Sequence, residues 1–143
     1  MNVICNSIKL SNFPQKDFTL SIIPVSSSKT PFKNWKEYQH TIAPISDWYS
    51  HYINSGTIGI ITGKVSGNLE CIDIDVKNDP KETIMDEYKK MIPEYLYNKL
   101  IVQTTPNGGF HLIYRCPTIT IEGNQKLALH SNKEVIIETR GEG

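Results

Sequence analysis

The chain has no apolar run approaching the roughly 20 residues that cross a bilayer, and nothing at its start resembles a secretory leader. No membrane span is expected. Cysteine is scarce: Cys5, Cys71 and Cys116 are an odd number without a C-x-x-C pair, so no disulfide framework is in view. A reduced, cytoplasmic setting is the expectation. A basic excess is missing too, because Lys plus Arg and Asp plus Glu both total 15. Zero net charge argues against the strongly basic class of nucleic-acid binders and leaves room only for a local patch. No internal repeat or low-complexity tract is present.

What is there is ordinary in bulk and unusual in one place. A length of 143 residues fits a single domain over 1–143, and an apolar fraction of 38% with 21% charged residues is that of a folded globular chain. The sequence stops on Ile137-Glu138-Thr139-Arg140-Gly141-Glu142-Gly143, a strand and a turn with no closing element, which reads as a domain incomplete at its C-terminal end. The unusual place is Leu69-Glu70-Cys71-Ile72-Asp73-Ile74-Asp75-Val76. Side chains alternate along a strand, so Asp73 and Asp75 point one way while Ile72, Ile74 and Val76 point the other. Two like charges on one face of an apolar strand need a partner, and a divalent cation is the simplest one.

The surrounding pattern alternates helix and strand. Val3-Ile4-Cys5 and Phe18 to Ile23 are candidate strands, and Ser26 to Pro31 is a loop by composition. A short helix is expected at Asn34 to Gln39 and a longer one at Ile45 to Asn54, capped by Ser46 and stopped at Gly56. Thr57 to Thr62 reads as a strand, Gly63 to Asn68 as a turn, and Glu70 to Val76 as the hairpin partner. A helix over 81–91 is broken at Pro93 before Tyr95 to Lys99. Leu100 to Thr104, Phe110 to Cys116, Gln125 to His130 and Val135 to Thr139 complete the strands. The class is α+β.

Three features can converge on the Asp pair. Thr105-Pro106-Asn107-Gly108-Gly109-Phe110-His111 is a turn running into a strand, with Gly108 and Gly109 allowing sharp backbone and exposed N–H groups that suit an anion. His111 stands beside that turn, although a histidine in a sheet is as often a satisfied structural residue. Glu138 is a charge in a β-branched strand; alone it reads as a solvent-facing residue, but with Asp73 and Asp75 it makes a three-carboxylate set suited to Mg²⁺ or Mn²⁺. Such sets hold two ions about 4 Å apart in phosphoryl-transfer enzymes. Gly63-Lys64-Val65-Ser66-Gly67 lacks the spacing and the hydroxyl residue of a phosphate loop, so an NTPase is rejected. Lys64 could still approach a phosphate, though a solvated turn lysine is the plainer reading.

Taken in order, Thr62 to Gly67 leading into Ile72-Asp73-Ile74-Asp75, then Gly108-Gly109-Phe110-His111-Leu112, then Ile137-Glu138-Thr139-Arg140-Gly141 resemble the bifunctional primase-polymerase domain of the archaeo-eukaryotic primase superfamily. Lys29-Thr30-Pro31 with Trp35, and the helix at 45–54, also resemble its upstream region. The family is typical of plasmid, phage and integrative-element replication proteins. The resemblance implies a core of an RRM-like sheet joined to a small α/β unit, with Asp73, Asp75 and Glu138 as metal ligands. Glu138 stands where relatives often carry aspartate. It also implies His111 on the incoming nucleotide's phosphates, with Lys64, Arg140, Gly108 and Gly109 as further nucleotide contacts. The implied cofactors are two Mg²⁺ or Mn²⁺ ions. The implied partners are a DNA template and primer, dNTP or NTP, and in larger relatives a following helicase domain.

Other classes compete for the same residues. A D-x-D glycosyltransferase explains Asp73 and Asp75 but leaves Gly108 to His111 and Glu138 idle. A metal-dependent nuclease uses all three carboxylates, and only nucleotide dependence separates it from a polymerase. A non-catalytic nucleic-acid-binding module could stack bases on Phe110 and Tyr114, but without a metal an Asp pair would repel a phosphate backbone.

Overall fold

The computed structural model describes residues 20–32, 34–44, 46, 57–77 and 83–142. Within them the elements run β1 (Ser21–Pro24), β2 (Ile58–Ile61), β3 (Leu69–Ile74), α1 (Ile84–Met91), the single turn α2 (Glu94–Tyr97), β4 (Ile101–Thr104), β5 (Phe110–Arg115), β6 (Lys126–Leu129) and β7 (Val135–Arg140). A 3₁₀ turn at Lys36–Gln39 falls within the helix expected at Asn34 to Gln39. The expected strand at Val3 to Cys5, nearly all of the helix over 45–54 and the start of the helix over 81–91 lie outside the described residues.

β1 and β2 are short apolar runs, buried along their whole length because both of their faces are covered. One face, Ile22, Ile58 and Ile60, packs on Leu69, Cys71 and Ile113 of the larger sheet. The other, Ile23 and Ile61 with Val25 at the strand's end, packs on Tyr38 and Ala43. Each fully buried aliphatic side chain contributes about 1.5–3 kcal/mol, so this small layer is a substantial share of the core.

The larger sheet is antiparallel in the order β4-β5-β3-β7-β6, which puts the carboxylate strand β3 at its centre. Ile74, Leu112 and Ile137 bury its second face against Ile84, Met85 and Tyr88 of α1. Ile84 and Tyr88 lie one helical turn apart and so share a side of the helix. Asp86 and Glu87 in the first turn and Lys89 and Lys90 in the last complement the helix dipole. Pro93 ends this segment as its chemistry requires. The mix of elements is α+β, sheet-rich with few helices.

One pairing differs from the sequence reading. Thr57 to Thr62 is expected to form a hairpin with Glu70 to Val76, but β2 pairs with β1, in register Ile22 with Ile60, and the backbone pairing toward β3 is an isolated bridge from Gly63, just past β2, to Leu69. The connection explains it. Gly63 (φ 87°), Gly67 (φ 70°) and Asn68 (φ 54°) turn the chain out of line around a 3₁₀ turn at Lys64–Ser66. The buried Ser66 hydroxyl then donates to the Ile61 carbonyl at 2.5 Å and accepts from the Ser21 N–H at 2.9 Å, tying this turn to β1 and β2.

Candidate active site

Residues directly opposite one another in an antiparallel ladder point to the same face. In this sheet Asp73 pairs with His111 on one side and Glu138 on the other. His111 pairs in turn with Gln103, and Glu138 with Lys126. A single row therefore crosses all five strands, Gln103, His111, Asp73, Glu138, Lys126, with three of the expected site residues adjacent at its centre. The preceding row, Ile101, Ile113, Cys71 and Arg140, is apolar except for Arg140. Arg140 is two residues from Glu138 on β7, so it shares the face and reaches back to the acids.

The contacts follow. Arg140 donates to Asp73 Oδ2 from Nη2 at 3.0 Å and from Nε at 3.2 Å. Its Nη2 also lies 2.6 Å from Glu138 Oε1. His111 Nε2 faces Asp73 Oδ1 at 3.5 Å, while Nδ1 is buried without a hydrogen-bond partner among the described residues. Burial alone would raise the Asp73 pKa; the hydrogen bond and charge of His111, and then those of Arg140, outweigh it and hold the carboxyl below its ordinary value. Cys71, one row away, is driven the other way by burial and by Asp73, so its thiol stays protonated and unreactive.

Asp75 lies one pleat beyond Asp73. Its N–H donates to the Ile136 carbonyl at 2.8 Å, extending the ladder past β3, and its exposed carboxylate accepts from the Lys77 N–H at 2.8 Å. Asp73, Asp75, His111 and Arg140 line one cavity of about 260 Å³, whose other walls are Thr105, Asn107 and Gly109 from the turn before β5 and Lys29 from the loop after β1. The turn is closed by the Thr105 N–H on the Gly109 carbonyl at 2.7 Å and the Gly108 N–H on the Thr105 carbonyl at 3.0 Å. Gly108 has φ 84°, and a Cβ on Gly109 would sit 2.5 Å from the Ile74 carbonyl oxygen. Glycine is required at both positions, for different reasons.

Asp73, Asp75, Glu138, His111, Arg140 and Gly109 thus gather at one end of the sheet, with Glu138 behind Arg140 and Gly108 shaping the turn. Lys64 does not join them. Its N–H donates to Glu142 Oε2 at 2.7 Å and its side chain lines a separate cleft with Asn68, Ile121 and Glu142. The neighbouring Thr62 hydroxyl donates to the Gly141 carbonyl at 2.5 Å, so the Thr62-Gly63-Lys64 stretch clasps the end of β7. Sequence reading assigned no role to Thr105 or Asn107, although their place beside the glycine pair was a usable signal.

Hard oxygen donors on one face fit Mg²⁺ or Mn²⁺ chemically. Among the described residues, however, no three His, Cys, Asp or Glu side chains stand as a ready cation cage. The Arg140 guanidinium lies on one oxygen of Asp73 and one of Glu138.

Residues 16–143 match the family model of the bifunctional DNA primase/polymerase, N-terminal (Prim-Pol) domain. The chain belongs to the Prim-Pol family. Membership carries DNA primase/polymerase activity as the general function, with DNA and nucleotides as substrates. No curated protein and no solved structure matches the chain. Among the described residues of this Prim-Pol domain, no helix is long and apolar enough to cross a membrane.

Proposed function

We propose that this Prim-Pol domain performs template-directed nucleotidyl transfer, adding dNTPs to a primer in the replication of a plasmid, phage or other mobile element, with its larger sheet as the primase-like core. The observation that carries the reading is the His111, Asp73, Glu138 row, of which His111 and Asp73 open, with Asp75 and Arg140, on a cavity walled by a glycine turn. Asp73, Asp75 and Glu138 are the residues that would hold two Mg²⁺ or Mn²⁺ ions. Bound there, such ions lower the pKa of a primer 3′-hydroxyl and neutralise charge developing on the α-phosphate.

The chain's own groups do the rest. Three carboxylates without a cation would repel a triphosphate, and Arg140 offsets part of that charge. His111 lines the cavity with Nε2 toward Asp73, and donates to a phosphate oxygen by exchanging that contact for the ligand. The turn over Thr105 to Gly109 puts Gly109 on the cavity wall beside Thr105 and Asn107, and a glycine there takes up no side-chain space.

Asp75→Ala is the direct test, because Asp75 lines the cavity, is exposed and makes no ion pair among the described residues. Primer extension with dNTPs and Mn²⁺ is expected to fall by about a thousandfold or more, with the thermal midpoint unchanged. Extension at the wild-type rate would refute the assignment. Shortening of the labelled strand without dNTPs would instead favour a nuclease.

A further inference from the structure

We propose that Lys29 is the cation that grips the polyphosphate tail of the nucleotide in the carboxylate cavity, an assignment that rests on the nucleotidyl-transfer reading. Lys29 comes from the two-stranded layer, not from the sheet that carries the acids, yet it lines the same cavity as Asp73, Asp75, His111 and Arg140. Of the cavity's two permanently charged cations, Arg140 is committed to Asp73 and Glu138. Lys29 makes no ion pair among the described residues and is solvent-exposed, so its ammonium is the one available to an incoming anion.

The backbone at Lys29 is built, not incidental. Its φ is 63°, a left-handed conformation that is unfavourable for a lysine and persists only where the surroundings impose it. The imposing contacts are all local: Ser26 N–H to the Thr30 carbonyl at 2.8 Å, Lys29 N–H to the Ser26 carbonyl at 2.8 Å, and Thr30 N–H to the Ser26 hydroxyl at 3.2 Å. Val25, fully buried, bridges to Pro31 and anchors the loop in the core. A glycine would satisfy this turn without strain, so Lys29→Gly removes the side chain and keeps the loop.

The geometry also selects the kind of anion. Asp73 and Asp75 share the cavity with Lys29, so an isolated monoanion meets as much repulsion as attraction. A tripolyphosphate carries enough charge and length to meet cations held by the carboxylates and the Lys29 ammonium at once.

The test is equilibrium binding of dATP, dAMP, inorganic tripolyphosphate and a single-stranded oligonucleotide, with Ca²⁺ present to prevent turnover. Lys29→Met is expected to weaken dATP and tripolyphosphate by about tenfold to a hundredfold, the worth of one charge-assisted contact. Binding of dAMP and of the oligonucleotide is expected to stay unchanged. Lys29→Gly should show the same loss with a thermal midpoint no lower than wild type, which separates charge from folding, and Lys29→Arg should retain most of the affinity. Unchanged dATP affinity in Lys29→Met overturns the proposal, and so does a loss that falls on the oligonucleotide instead of tripolyphosphate. A wild-type chain that binds neither dATP nor tripolyphosphate would overturn the nucleotidyl-transfer reading itself.

Discussion

Glu70 and Asp73 are carboxylates three residues apart on one strand, each opposite a polar residue of β5, and they have opposite fates. Glu70 faces Tyr114 in register and accepts its hydroxyl at 2.6 Å. Burial, and then the hydrogen bond and charge of Glu70, push the Tyr114 phenol well above its ordinary range, so this partner stays a neutral, permanent donor. Asp73 faces His111 and is gripped by Arg140. Odd separation puts the two acids on opposite faces, and the sheet's second layer differs on each. Satisfaction by a phenol closes a carboxylate off, whereas satisfaction by cations beside a cavity leaves one whose partners can be exchanged for a ligand. A charged residue in a strand is thus not informative by itself. What its neighbour across the ladder offers decides its role.

Substituting each acid in turn would break this contrast most sharply. Asp73→Asn keeps the shape but removes the charge, and primer extension is expected to fall by about a thousandfold or more. Glu70→Gln should leave extension within a few-fold and cost about 1 kcal/mol of stability by weakening a charge-assisted hydrogen bond. Equal loss of extension in both variants would mean that the two faces are not functionally distinct.

The next effect concerns the cations around Asp73. Arg140→Gln leaves the carboxylates of Asp73 and Glu138 side by side with no guanidinium between them. The metal-free chain should then lose about 1–3 kcal/mol, since two half-buried charges become under-satisfied. In a chain of this size that lowers the thermal midpoint by roughly 2–10 °C. Mn²⁺ should restore more stability to Arg140→Gln than to wild type, because the ion no longer competes with a resident cation. Identical midpoints with and without Mn²⁺ in the two chains would show that Arg140 does not occupy the ligand set.

Much of this comparison is legible in the sequence, and the limits have physical causes. The alternation of Ile72, Asp73, Ile74 and Asp75 places the two acids on one face, and the strand's periodicity guarantees it. Strand limits at Phe110 and Val135 are close to those read from composition because β-branched and aromatic residues cluster there. The register that sets Asp73 between His111 and Glu138 is not legible, since it depends on three strands far apart in sequence. The pairing of β2 with β1 was lost for a related reason: the left-handed residues Gly63, Gly67 and Asn68 look like a hairpin turn, and nothing local announces Ser66 bonding to Ser21. Lys29 is marked in the sequence only as part of the Lys29-Thr30-Pro31 resemblance, and its place on the cavity is not legible because a lysine in a serine-rich loop is the commonest of solvated residues. Arg140 was noticed as a cation near the site, yet whether it serves a ligand or its neighbours is set by two distances, not by spacing.

The smallest effect isolates Asp73 by its titration. Its carboxyl is held below the ordinary value in the folded chain, so the unfolded chain binds this proton more readily. The sign follows: Asp73 adds stability that is fully present above the ordinary carboxylate range and is lost as pH falls through the lowered, folded-state value. Unfolding followed in EDTA from neutral pH down to about pH 3, within the range where carboxylates titrate, should therefore show an acid-side decline that is steeper in wild type than in Asp73→Asn. The two curves should draw together toward the acid end, as wild-type Asp73 takes up its proton. Because His111 and Arg140 lower the Asp73 value, Arg140→Gln should move this acid limb toward higher pH. An acid limb identical in all three chains would mean that the cations beside Asp73 do not act on its charge, and the contrast with Glu70 would lose its electrostatic basis.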